Sequence, residues 1–272
     1  ANAAYRYSKD DFVLKTYVNG NHSYMDVNQY QVGQDTPLPT QIRNNYLYVN
    51  TFVSDKVSDK LYYRGGISYT NSRTAIRQSP MHLNENLSGV HVKGAVYYDP
   101  VPTLTINAGN EVFVHDVGFN TSEPGTSSEV DLSNKTILNA TFVEANWAID
   151  KNVSIRSGGR MEYNSRLNQW SFDPRVSAGV RLGEMGQLSA AWGIFRQRPR
   201  TEFILRNERI ETEKASHLIL SYQITQNKRT FRAEAYSKKY MDLVKENPGS
   251  LLLNTGDGYA RGIDLFWRDP KT

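Results

Sequence analysis

In three segments, Arg175–Leu182, Gln187–Arg196 and His217–Thr225, apolar and polar side chains trade places at almost every step. Val176, Ala178, Val180 and Leu182 share one parity, against Arg175, Ser177, Gly179 and Arg181 on the other. Leu188, Ala190, Trp192 and Ile194 alternate with Ser189, Ala191 and Gly193. Leu218, Leu220, Tyr222 and Ile224 oppose His217, Ser221, Gln223 and Thr225. Successive side chains on a strand point to opposite faces, so each segment has one face suited to hydrocarbon and one suited to water. The links between such segments also alternate. Asp55–Lys60, Asp99–Pro102, Asp150–Asn152, Gly183–Gly186 and Gln226–Lys228 are short and carry Asp, Asn, Gly and Pro, the turn formers. Between them lie Ala75–Asn84, Asp116–Lys135, Asn164–Trp170, Gln197–Lys214 and Met241–Gly256, which are longer. Short turns on one side and long loops on the other are the pattern of an antiparallel transmembrane β-barrel, with the turns periplasmic and the loops outside. The fold class expected is therefore all-β.

The segments themselves support this. Strands are expected at Gln41–Ser54, Leu61–Thr74, Glu85–Tyr98, Thr103–His115, Thr136–Ile149, Val153–Tyr163, Ser171–Leu182, Gln187–Arg196, Ala215–Thr225, Arg229–Tyr240 and Asp257–Arg268. Phe12–Val18 and Tyr24–Tyr30 show the pattern more faintly. This makes roughly a dozen strands of a length that crosses a bilayer at a tilt, where strands of soluble proteins run nearer five or six residues.

Composition excludes the competing membrane architecture. Hydrophobic residues are 39% of the chain and mean hydropathy is −0.59. No run of about 18 apolar residues exists to form a transmembrane helix. A barrel spreads its apolar surface over alternate positions and so keeps a low average. Seventeen Tyr and four Trp suit strands and the membrane interface. The absence of cysteine removes thiolate metal sites and disulfides. Net charge is +4 and the basic residues are dispersed, which argues against a nucleic-acid surface.

Charges on the inward parity are the candidate functional residues. Arg156, Arg160 and Glu162 oppose Val153, Ile155 and Met161; Arg232 and Glu234 oppose Phe231, Ala233 and Ala235. A charge facing lipid at mid-bilayer costs roughly 2–4 kcal/mol, so these are expected to line the lumen. Arg196, Arg198 and Arg200 fall where a strand meets a long outer loop, a place to meet an anionic solute or lipopolysaccharide, or only water. The five histidines have no ligand spacing, and no nucleophile, nucleotide or zinc-protease motif is present. No cofactor, metal or catalytic residue is expected.

The second half resembles the barrel of TonB-dependent outer-membrane receptors of the Bacteroidetes type. The resemblance is carried by Phe172-Asp173-Pro174-Arg175-Val176-Ser177, Gly179-Val180-Arg181-Leu182, Gln187-Leu188-Ser189-Ala190-Ala191-Trp192-Gly193 and Glu211-Thr212-Glu213-Lys214-Ala215-Ser216-His217. Arg232 to Tyr240 continues it, and Asn254-Thr255-Gly256-Asp257-Gly258-Tyr259-Ala260-Arg261-Gly262-Ile263-Asp264-Leu265 is its strongest piece. Asp264 stands where the family more often has Glu, and its inward parity would let it hold an arginine of a plug. The match spans about Val153 to Thr272; the first half agrees only in strand rhythm.

The resemblance implies a barrel of about 22 strands filled by an N-terminal plug. It implies a receptor that binds a scarce extracellular solute and imports it with energy from the TonB complex. Against that pattern, residues 1–272 are expected to be a partial barrel domain without plug, TonB box or final strands. The partners implied are outer-membrane lipid and lipopolysaccharide, the chain's own plug, the TonB complex and a solute the sequence does not identify, in a bacterial outer membrane. The alternative is a passive porin. A third reading, an outer-membrane lipase, has His115 near the outer rim but no nucleophile beside it.

Overall fold

Alternation produces strands here, and the turn residues join neighbours in sequence. A computed structural model describes residues 1–30, 36–122, 129–200, 203–204, 207, 210–246 and 252–270. The strands are β1 Asn2–Lys9, β2 Phe12–Gln29, β3 Leu38–Ser58, β4 Leu61–Gln78, β5 Met81–Val101, β6 Leu104–Ser122 and β7 Glu129–Ala148. Then come β8 Val153–Asn164, β9 Gln169–Leu182, β10 Gly186–Gln197, β11 Glu213–Gln226, β12 Arg229–Lys245 and β13 Leu253–Arg268. These thirteen antiparallel strands form one sheet whose spatial order is the sequence order. The chain divides into two compact units. One comprises Ala1–Ala95, Asn110–Asn139 and Asn164–Arg166; the other Val96–Gly109, Ala140–Tyr163 and Leu167–Thr272.

In the second unit, register turns the sequence pattern into an apolar belt. Leu182, Gly186, Ile224, Phe231 and Trp267 form one cross-strand row; Val180, Leu188, Tyr222, Ala233 and Leu265 the next. Ala178, Ala190, Leu220, Ala235 and Ile263 form a third, then Val176, Trp192, Leu218, Ser237 and Arg261 a fourth. Leu220 is 50% exposed and Ile263 73%; in water such a patch would be a liability, whereas a lipid-facing wall requires it. The turns are built as their residues dictate. Asn227 and Lys228 both have positive φ, 50° and 68°, the requirement of a two-residue type I′ hairpin. At the β7–β8 turn, Asp150 Oδ1 accepts from the backbone of Asn152 at 2.6 Å and Val153 at 2.9 Å.

In the first unit, Tyr5, Thr16, Thr51 and Ile67 form one row and Ala3, Val18, Val49 and Tyr69 the next. Further along, the same face carries His22, Asn45 and Arg73, then Tyr24, Arg43 and Ala75. The Arg43 guanidinium lies over the Tyr24 ring at 5.4 Å. The ladder thus continues after its apolar face has ended.

That continuation corrects several expectations. Ala75–Asn84 is not a long loop: β4 runs to Gln78 and β5 starts at Met81. The alternation of short and long links therefore breaks at Ser79–Pro80. Within Asp116–Lys135, β6 extends to Ser122 and β7 begins at Glu129, and 123–128 lie outside the described residues. His115 consequently lies inside β6. Phe12–Val18 and Tyr24–Tyr30 belong to a single strand, β2, which ends at Gln29, and β1 was not expected at all. The other link boundaries also contract: Asp99–Val101 lie in β5, and Gln169–Trp170 in β9. Apolar alternation marks only part of each strand; beyond it backbone pairing continues, with polar and ring contacts between side chains such as His22–Asn45 and Arg43–Tyr24.

Candidate functional site

The second unit carries a cavity of about 320 Å³ on the polar parity of β7 to β11. Glu144, Arg156, Gly158, Arg175, Phe195 and His217 are among the residues that line it. Two small residues shape it. A Cβ on Gly158 would lie 2.6 Å from the Val143 carbonyl oxygen, so glycine is what lets β7 and β8 approach here. A Cβ on Gly193 would lie 3.2 Å from both Arg175 Cγ and the Phe195 ring, so its absence lets those two side chains converge.

Arg175, Gly193, His217 and Lys238 form one cross-strand row through β9, β10, β11 and β12. The Phe195 ring reaches back over this row. Its centroid is 4.8 Å from the Arg175 guanidinium carbon and 4.9 Å from the His217 ring. Tyr240 meets His217 edge-on at 6.4 Å. On the neighbouring strands Arg156 Nη2 reaches Glu144 Oε1 at 2.5 Å, and Asn107 Nδ2 donates to the same oxygen at 3.3 Å. Asp173 is taken by Arg196 Nη1, which also donates to the Phe172 carbonyl oxygen at 2.8 Å.

The expected site residues separate into several places. Arg156 lines the cavity. Arg160 and Glu162 pair with each other on β8, Nη2 to Oε2 at 3.1 Å. Arg196 shares the parity of Trp192, not of Gly193, and folds onto Asp173 and Phe172. Arg198 and Arg200 lie beyond β10. Burial pushes the Arg198 guanidinium below its ordinary value, and Arg200 lies over the Phe203 ring at 5.9 Å. Asp264 stands directly opposite Glu234 on the polar face of β12–β13, two carboxylates side by side. Sequence reasoning put Arg175 and His217 on the inward parity but did not single them out, and it passed over Glu144, Phe195 and Lys238. Parity alone supplied half the signal; the other half is register, which decides which inward residues of different strands are neighbours.

The links that follow β10 and β12 carry three buried apolar side chains. Ile204, Ile210 and Leu252 are 0%, 2% and 2% exposed, where Leu220 and Ile263 on the apolar sheet face are largely open. Asn254 ties the loops together: its Nδ2 donates to the Glu211 and Asp242 carbonyl oxygens at 3.0 and 2.7 Å, and its Oδ1 accepts from Glu211 N at 2.8 Å. Asn207 Nδ2 donates to the Leu252 carbonyl oxygen at 2.7 Å.

No family model matches the sequence, and no curated protein matches it either. Solved structures do match the fold. The alcaligin outer-membrane receptor FauA of Bordetella pertussis superposes over 97% of this chain and 48% of its own, at TM-score 0.76 and 12% identity. The copper transporter OprC covers 97% of this chain and 48% of its own, at TM-score 0.75 and 15% identity. The RagAB peptide importer in its closed-closed state covers 97% and 43%, at TM-score 0.68 and 12% identity. The chain thus spans about half the length of the outer-membrane proteins it matches. Its fold is the antiparallel β-barrel wall found in them.

Proposed function

We propose that this chain forms part of the barrel wall of a TonB-dependent receptor in a bacterial outer membrane. Such a receptor binds a scarce extracellular solute and imports it with energy drawn through the TonB complex. The observation that carries this reading is the two-faced meander of β9 to β13: a continuous apolar belt on one face, and charged rows with a shaped cavity on the other. That arrangement pairs lipid outside with water or a plug inside. The apolar rows meet outer-membrane lipid, with lipopolysaccharide against the outer ends of the strands.

The chemistry favours binding and transport over turnover. The cavity holds ion pairs and aromatic rings, and His217 stands among Phe195, Lys238 and Tyr240, with Lys238 opposite it in register. Arg156, Arg160 and Glu162 contribute to the lumenal surface, Asp264 with Glu234 offers a place for a plug arginine, and Arg198 and Arg200 meet the solute or lipopolysaccharide outside. The matched proteins are an alcaligin receptor, a copper transporter and a peptide importer, so one wall architecture serves solutes of very different chemistry.

Planar-bilayer recording on the full-length protein tests the reading. A receptor filled by its plug is expected to carry no steady ion current, and accumulation of its solute by cells is expected to vanish when TonB is deleted. A steady conductance, with accumulation independent of TonB, would mean a passive porin instead.

A further inference from the structure

We propose that the cavity on the polar face of β7 to β11 is an anion subsite, one that receives a carboxylate attached to a planar or apolar body. Arg175 is the binding cation that lines it, Phe195 is its platform, and Lys238 stands beside it on β12, opposite His217. For the source of that carboxylate the proposal rests on the transport reading above.

The charges around the cavity do not cancel. Its bordering carboxylates are already engaged: Glu144 by Arg156 at 2.5 Å, and Asp173 by Arg196. Arg175 and Lys238 have no carboxylate partner among the described residues. Both lie against rings instead, Arg175 at 4.8 Å from Phe195 and Lys238 at 4.9 Å from Tyr236. The two cations lie in one cross-strand row with only Gly193 and His217 between them. A guanidinium lying over a ring keeps its in-plane N–H donors free, and a carboxylate accepts such a fork in bidentate fashion. Lys238 adds a mobile point charge from β12. Phe195 is more than a third exposed and offers a π-face to the body of the ligand. A volume of about 320 Å³ is at the lower end of ligand pockets, room for a group the size of benzoate.

Two sources could supply the carboxylate: the translocated solute, or an acidic side chain of the polypeptide that fills the barrel. Both are tested on the full-length receptor in detergent, with benzoate as the probe and benzamidine as its cationic counterpart. Binding is read by calorimetry, and assembly by heat-modifiable gel migration. In parallel, a water-soluble carbodiimide tests whether Lys238 becomes joined to a carboxylate of the same chain, with the linkage located by peptide mass spectrometry.

A solute site is expected to bind benzoate in preference to benzamidine. R175Q and K238Q should each weaken benzoate about tenfold or more, Arg175→Lys should recover part of the loss, and R232Q, on the same face but against Phe266, should change nothing. Glu144→Gln should tighten benzoate, because it releases Arg156. If the carboxylate belongs to the chain itself, benzoate will not bind and Lys238 will cross-link to it, a link that R175Q reduces. The proposal is overturned if benzamidine binds as well as benzoate, if assembled R175Q binds like the parent, or if neither benzoate binding nor a Lys238 cross-link is seen. None of these readouts needs TonB or a membrane potential. A passive channel could pass them and an energised importer could fail them, so the two proposals stand or fall separately.

Discussion

Strands β2 to β4 and β9 to β11 share a similar apolar alternation on one face, yet they differ beyond the apolar belt. The first three have 18, 21 and 18 residues; the second three have 14, 12 and 14. A strand of 21 residues is about 70 Å long, well beyond what a tilted crossing needs. In β2 to β4 the excess stays in the ladder, with His22, Asn45 and Arg73 on a face that lower down holds Val18, Val49 and Tyr69. After β10 the chain leaves the ladder instead and buries Ile204 and Ile210, as the link after β12 buries Leu252. Backbone beyond the apolar belt is therefore satisfied in two ways: by continued strand pairing, or by side chains such as Asn254, which bonds the carbonyls of Glu211 and of Asp242 in β12.

The largest expected effect separates the faces of the second region. Leu220→Arg puts a cation in the middle of the apolar belt at a cost of roughly 2–4 kcal/mol, whereas Gln223→Arg on the polar face is tolerated. Folding yield in liposomes measures both, and equal tolerance would erase the assignment of faces. Next is Gly158→Ala: its Cβ meets a backbone oxygen at 2.6 Å, and overpacking of this kind costs about 1–3 kcal/mol. Urea unfolding in detergent should show that loss, and the Glu144–Arg156 pair should be disturbed with it.

Asn254→Ala tests the loop solution. It removes three hydrogen bonds, so hydrogen exchange at Glu211, whose amide loses its acceptor, should quicken by an amount set by about 1–2 kcal/mol of local stability. The ladder ends of β2 to β4 should be unaffected. If they quicken as well, the two regions do not stabilise their outer ends separately.

The smallest effect lies at the β3–β4 turn. There the Lys56 ammonium donates to Asp59 at 2.8 Å and holds its carboxyl below the ordinary aspartate value. A depressed carboxyl pKa stabilises the fold above the unfolded value, and that contribution is lost as pH falls through the folded one. Both groups are solvent-exposed, so Asp59→Asn should flatten the acid end of the stability profile only slightly, and added salt should hide the change.

Much of this protein was legible in its residues because a two-faced barrel wall imposes one rule at every other position. Val176 to Leu182 and Leu188 to Ile194 announce their faces without help, and Asp150 and Asn227 announce their turns. The rule falls silent where lipid ends. Ala75 to Asn84 looked like a loop because its side chains are largely polar on both faces, although its backbone is mostly paired; β1, rich in Tyr and polar residues, went unread for the same reason. Arg196 misled because its position near a rim suggested solvent or solute, whereas it closes on Asp173.

The sequence by itself determined the strand character, the two faces and the turns, since these come from local periodicity and backbone preference. Tertiary structure alone decided which inward residues share a site. Glu144 and Arg156 pair because the β7–β8 turn fixes their register, and Arg175, His217 and Lys238 align because three hairpins bring distant positions onto one row. Hydrogen-bond register sets those neighbours, and a one-residue slip would have replaced every one of them.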